Sequence, residues 1–253
     1  MIGWLASATG LEPASLVTLA LICIFAGLVR GFSGFALSAI VIASAASILP
    51  PIELIPMMWW LEMTASVLML RGGWREADRR VVFGLVIGAA VGTPVGIALT
   101  TALPVAISKL VALALVVGLA VTQLAKIRMA FLATRPGLYG SGLMAGVVTG
   151  LAGIGGMVVA LYVLAQDAPS RQMRAALVLF LFLGAVTSMI TYLAFGVMDA
   201  TATVRGLTFV PPVIAGVLLG QRLFIPRFEH IYRPFCLSLL IALAGFGILR
   251  LAL

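Results

Sequence analysis

The chain has 253 residues, of which 63% are hydrophobic and 9% charged, with a formal net charge of +8. A soluble domain is roughly 45–50% apolar and about 25% charged, so too little polar surface is present to hold a protein of this size in water. The basic excess invites a nucleic-acid reading. However, the 16 Lys and Arg residues gather in short clusters between apolar runs, as orientation signals of membrane segments do, and no nucleic-acid partner is expected.

Charges and prolines divide the chain into apolar blocks at 14–49, 52–70, 81–103, 105–125, 137–166, 175–198, 204–221 and 234–252. A helix needs about 20 apolar residues to cross the ~30 Å hydrocarbon layer, and most blocks have that length. The expectation is an all-α polytopic membrane protein. A membrane-spanning barrel would need alternating segments of about ten residues, and the blocks do not alternate. No Lys or Arg precedes Arg30, so the start lacks the positive region of a secretory signal. Cys23 and Cys236 lie in apolar runs and are expected to pack as small residues. No spacing suits a metal, and no cofactor is expected.

Two blocks break the pattern. The first, 14–49, is interrupted at Arg30-Gly31-Phe32-Ser33-Gly34-Phe35, and the fifth, 137–166, at Gly150-Leu151-Ala152-Gly153-Ile154-Gly155-Gly156. Clustered glycines let a backbone leave the helix. The interruptions are related: residues 26–36 read AGLVRGFSGFA and residues 145–155 read AGVVTGLAGIG, an offset of 145 − 26 = 119. The same offset carries Pro50 onto Pro169, and Gly92 and Gly96 find counterparts in Gly216 and Gly220. Two homologous halves are expected, 14–126 and 137–252, within a single transmembrane domain 1–253.

Charge orients the halves. If each broken block crosses once, the halves are parallel. Arg71, Arg75, Arg79, Arg80, Lys126, Arg128, Arg135, Arg205 and Arg250 then face Lys109, Arg171, Arg174, Arg222, Arg227 and Arg233 across the membrane. If each broken block enters and returns as a hairpin, each half has three full crossings and the halves are inverted. Only Lys109, Arg205 and Arg250 then oppose the rest, with Arg30 inside the membrane. Basic residues collect on the cytoplasmic side, which favours the inverted arrangement, with both termini facing away from the cytoplasm. Inverted repeats with broken helices are a common transporter plan, with the substrate near the midplane where the breaks meet. Helices starting after each break, near Phe35 and near Gly155, would aim unpaired N–H groups and positive dipole ends at one cavity. Glycines let an anion approach that backbone. The candidate binding residues are therefore Arg30, Gly31, Phe32, Ser33, Gly34, Thr149, Gly150, Gly153, Gly155 and Gly156.

The pattern R-G-x-x-G-F-A at Arg30–Ala36, G-L-x-G-I-G-G at Gly150–Gly156, Pro50-Pro51, and Arg174-Ala175 together resemble the TauE/SafE sulfite exporter family, also called TSUP, over essentially the whole chain. The resemblance implies transport of a small sulfur-containing anion, such as sulfite, thiosulfate or an organosulfonate, across a bacterial inner membrane; it does not itself set the direction, for which export is the expectation. A homodimer is compatible with it. The second half carries neutral Thr149 at the level of Arg30, so an arginine grip would be one-sided.

Each candidate also has a plainer reading. Arg30 either serves the cavity or snorkels to headgroups, and Ser33 and Thr149 either touch substrate or bond back to a helix carbonyl. Gly92-x-x-x-Gly96 and Gly216-x-x-x-Gly220 are read as helix packing. An ionised carboxylate at Glu62 is costly at that depth, so it is a partner for Arg30, a proton-coupling site, or a neutral acid bonded to a neighbouring helix. Glu53 is expected at the interface. Trp59, Trp60 and Trp74 are expected in an interfacial belt, the methionines at 57, 58, 63 and 69 in packing, and His230 in a solvated basic loop. An enzyme is not expected: no H-E-x-x-H and no intramembrane His or Asp pair occurs, and Ser33 and Ser188 have no evident base. An anion channel or an accessory subunit of a larger complex remains the alternative.

Overall fold

The computed structural model describes residues 2–126, 134–166, 170–223 and 229–252, so the positions of Arg128, Asp167, Pro169 and Arg227 lie outside the described residues. The described elements are all helices: α1 (Ile2–Thr9), α2 (Pro13–Ser33), α3 (Leu37–Ala45), α4 (Pro51–Glu76), α5 (Arg79–Ala102), α6 (Val105–Leu124), α7 (Arg135–Ala152), α8 (Gly155–Ala165), α9 (Ser170–Ala194), α10 (Ala200–Leu223) and α11 (Glu229–Ala252). Seven of these, α2, α4, α5, α6, α9, α10 and α11, contain stretches long and apolar enough to cross a membrane. Large apolar side chains point outward, with Ile190 72%, Leu21 62% and Val91 62% exposed. Water would oppose such a surface, whereas lipid tails accept it.

Local chemistry sets many of the helix ends. Asp78 caps α5, accepting from the N–H groups of Arg80 and Val81. Thr134 caps α7 by accepting from Gly137 N–H at 3.1 Å, and Asp199 accepts from Ala202 N–H at 2.6 Å in the first turn of α10. Pro13 opens α2, where its missing N–H has no helical partner to lose. Other prolines do not interrupt: Pro56, Pro94, Pro211, Pro212 and Pro234 lie inside helices, as membrane helices tolerate. Position 230, expected in a loop, falls within α11.

Both expected interruptions are present. The α2–α3 break contains Gly34 at φ 81° and Ala36 at φ 76°, the latter a left-handed conformation that a side chain resists. Ser33 stitches this turn: its hydroxyl lies 2.7 Å from the carbonyls of both Val29 and Phe35. The α7–α8 break turns at Gly153, φ 71°, whose N–H bonds to Thr149 O. Gly34 and Gly153 are related by the same 119-residue offset (153 − 34).

The halves interlock crosswise. Helix α2 packs on α10, α5 on α7, α4 on α9, and α6 on α11. In the first two pairs the contact is backbone on backbone. A Cβ at Gly216 would meet Ile24 O at 2.1 Å, and one at Gly220 would meet Leu28 O at 2.1 Å. Equally, a Cβ at Gly92 would lie 2.1 Å from Leu143 O, and one at Gly96 2.2 Å from Val147 O. Lipid supplies no hydrophobic force between helices, so close approach through small residues carries the association. The packing reading of both G-x-x-x-G pairs agrees with these contacts.

Candidate functional site

Arg30 is completely buried in the last turn of α2. Its Nη2 donates to Ser66 Oγ at 3.0 Å, its Nη1 donates to the Gly34 carbonyl, and its Nε lies 3.2 Å from Glu62 Oε2. That last approach is an ion-pair contact without hydrogen-bond alignment. Glu62, 9% exposed, is also bound from α3, where Ser38 donates its hydroxyl at 2.7 Å and its N–H at 3.2 Å to Oε1. Of the three readings of Glu62, the partner of Arg30 is the one its side chain makes, and the bond to the neighbouring helix is made at the same time. Snorkelling does not describe Arg30, whose guanidinium is enclosed by protein.

The carboxylate therefore sits at the N-terminus of a helix, where unpaired N–H groups favour negative charge. That helix begins at Leu37, two residues beyond the expected start. The second half differs at each of these positions. The 119-residue offset carries Arg30 to Thr149, Glu62 to Leu181 and Ser66 to Ala185. No side-chain carboxylate is supplied to the start of α8 by these counterparts.

An internal cavity of about 50 Å³ lies beside this pair, and its lining includes Ser38, Glu62, Thr93, Thr149, Gly153, Gly155, Ser188 and Tyr192. Apolar side chains complete it, among them Ile55, Met58, Trp59, Phe180 and Leu181. It has room for a few water-sized groups. Glu62 lies near the middle of α4, so the cavity sits deep in the helix bundle. Side chains from α3, α4, α5 and α9 meet there with the α7–α8 break.

Of the sequence-derived candidates, Thr149, Gly153, Gly155 and Glu62 line this cavity, and the others do not. Gly31 and Gly150 face helices instead: a Cβ on Gly31 would meet Val217 O at 2.4 Å, and one on Gly150 would meet Ile97 N at 2.4 Å. Gly34 lies against Arg174, whose Cγ would be 2.7 Å from an added Cβ. Arg174 also donates to the Gly31 carbonyl, so α9 of one half holds the break of the other. Gly156 faces Leu181, and Phe32 packs against the core. Thr149 makes the back-bond, its hydroxyl donating to Ala145 O at 2.7 Å, and it also lines the cavity.

Two tryptophans depart from expectation. Trp59 forms part of the cavity wall and donates its indole N–H to Ala185 O at 2.7 Å. Trp60 stands edge-on to it at 5.0 Å and presses on Gly206 of α10. Both sit in the bundle because one face of α4 is covered by α9 and the other by α10, a burial that sequence position alone does not reveal. Trp74, 42% exposed and stacked by Arg79, suits the interfacial belt. Met57 and Met58 are buried, as packing requires. Glu53 and Arg205 form an ion pair between α4 and α10, and Arg205 Nε also donates to Thr9 O at 2.8 Å. Sequence reasoning missed Ser38, Ser66, Thr93 and Tyr192, since single hydroxyls in apolar helices carry no spacing signal.

Among the described residues no group of three His, Cys, Asp or Glu side chains suits a metal ion. Long apolar helices around a largely apolar cavity with a few polar groups, with two helices broken beside it, define a multi-pass membrane protein. The chain belongs to the sulfite exporter TauE/SafE family, whose model matches residues 19–246, nearly its whole length. This is a family of membrane transporters of the sulfite-exporter type. No curated protein and no solved structure matches the chain.

Proposed function

We propose that the chain is a secondary transporter exporting a small sulfur-containing anion, such as sulfite, thiosulfate or an organosulfonate, across a bacterial inner membrane. The anion binds in the cavity beside Glu62, against the first turn of α8. One observation carries this reading. The start of α3 is already neutralised by the protein's own carboxylate, whereas α8 begins at the same cavity with glycines and no acid. As the opening residues of α8, Gly155 and Gly156 have no N–H acceptor within their own helix, and Gly153 and Gly155 line the cavity. Thr93, Thr149 and Ser188 donate to the carbonyls of Ala89, Ala145 and Ala185, and on binding each would turn its hydroxyl to the remaining oxygens, with Tyr192 beside them. Arg30 then acts by positioning: it holds Glu62 against α3 and balances its charge.

The contacts of Arg205 support inverted halves. It touches Thr9 before the first broken block and Glu53 after it, so both ends of α2–α3 lie on one face. Arg171 pairs with Glu76 at 3.3 Å, which puts the start of α9 at the membrane face where α5 begins. With α5 and α6 crossing out and back, α7 would begin at that face too, and the second broken block would also return. Rocking of the halves about the breaks would then expose the cavity to each face in turn.

Flux of radiolabelled sulfite, thiosulfate and sulfonates into liposomes holding only this protein tests the proposal. A saturable flux showing counterflow, lost in Gly155→Val, is the expected result. Conductance without counterflow would indicate a channel, and no flux for any anion would refute transport by the isolated chain.

A further inference from the structure

A second cavity, of about 550 Å³, opens between the C-terminal end of α3, the first turns of α6 and the C-terminal turns of α11. It is separate from the site beside Glu62, and its size falls in the range of ligand pockets, about 300–1,000 Å³. Its lining combines Lys109 and Arg250 with the hydroxyls of Ser44 and Ser47, and no acidic side chain is among its described lining residues. Lys109 is the fifth residue of α6, and Arg250 is two residues from the end of α11. Both cations therefore stand where helices leave the hydrocarbon layer, at headgroup depth. Below them the wall is apolar. Leu113 and Leu243 line it, and Phe246 is 62% exposed with the Arg250 guanidinium over its ring at 5.5 Å.

From this juxtaposition we infer a binding site for an anionic phospholipid, its phosphate held between Lys109 and Arg250 and an acyl chain laid along Phe246 and Leu243. Charge complementarity selects the headgroup: two cations with no acidic side chain among the described lining attract anionic lipid more strongly than a zwitterion of zero net charge. The exposed apolar wall selects a lipid over a free oxyanion, which has no surface to cover it. Because α3 contributes to the cavity and also carries Ser38, an occupied lipid site braces the helix that holds Glu62.

The full-length protein in neutral detergent is titrated with short-chain phosphatidylglycerol and, separately, phosphatidylcholine, and binding is read by native mass spectrometry. Phosphatidylglycerol is expected to bind at least tenfold more tightly than phosphatidylcholine. The double variant Lys109→Gln/Arg250→Gln should lose that preference, while Lys109→Arg/Arg250→Lys should keep it and control for folding. Inorganic sulfate at millimolar concentration should not displace the lipid. Equal binding of both lipids, or a preference retained in the Gln variant, overturns the site. Displacement by sulfate reassigns the cavity to a free anion and overturns it equally.

Discussion

Replacing Arg30 by Met tests the buried ion pair most directly. The substitution preserves the length of the stem but removes the charge that faces Glu62 at 3.2 Å, along with the donors to Ser66 and Gly34. Glu62 would then be an unpaired carboxylate among buried helices, and removing one partner of such a pair costs about 3–5 kcal/mol. Glu62→Leu should cost a similar amount by leaving the guanidinium unpaired. The double variant Arg30→Met/Glu62→Leu removes both charges, as the second half has done with Thr149 and Leu181. What remains are the Gly34 carbonyl without its donor and the Ser38 hydroxyl and N–H without their acceptor, about 1–3 kcal/mol for each group left unsatisfied. The pair should therefore be strongly coupled, the double variant costing clearly less than the two single ones summed. Reversible unfolding in mixed micelles, followed by circular dichroism, measures all four corners of the cycle. Single variants within about 1 kcal/mol of the parent, or a double variant equal to their sum, would refute the reasoning.

Other outcomes follow from the same contacts. Gly92→Leu and Gly216→Leu should each cost more than the ~1–3 kcal/mol of ordinary overpacking, because the obstacle is backbone, whereas Gly118→Ala, with nothing within 4 Å, should be neutral or stabilising; thermal unfolding in detergent ranks them. Gly34→Ala meets both a left-handed φ of 81° and the Arg174 side chain, so it should lower stability by at least the ~1–2 kcal/mol of the conformation alone, and a variant as stable as the parent would argue against the described turn. Asp78→Ala should remove the α5 cap at a cost of about 1 kcal/mol, with Asp78→Asn retaining most of it. Thr149→Val should raise KM for the transported anion with expression unchanged, and an unaltered flux curve would remove this hydroxyl from the site. Single cysteines at 103 and 197 should react with a membrane-impermeant maleimide added to the periplasmic side, and a cysteine at 78 should not; labelling of 78 alone would invert the topology.

Sequence pattern determined the class and much of the scaffold. Apolar runs of membrane length have to become helices, because lipid satisfies no backbone N–H or C=O, and glycine clusters at Gly34 and Gly153 have to interrupt them. The 119-residue sequence offset relates the two breaks that the structure contains. Partners were a different matter. Whether Arg30 faced an anion, a headgroup or Glu62 depended on which helix lay beside it, and a charge on an apolar segment records only that it needs compensation. Likewise Gly31 and Gly150 read as binding glycines until α10 and α5 were found against them, and Trp59 and Trp60 read as belt residues until α9 and α10 covered α4. Periodicity is a property of one helix at a time, whereas a cavity or an ion pair belongs to several. Only the assembled bundle could bring Ser38, Glu62 and Gly155 around one space.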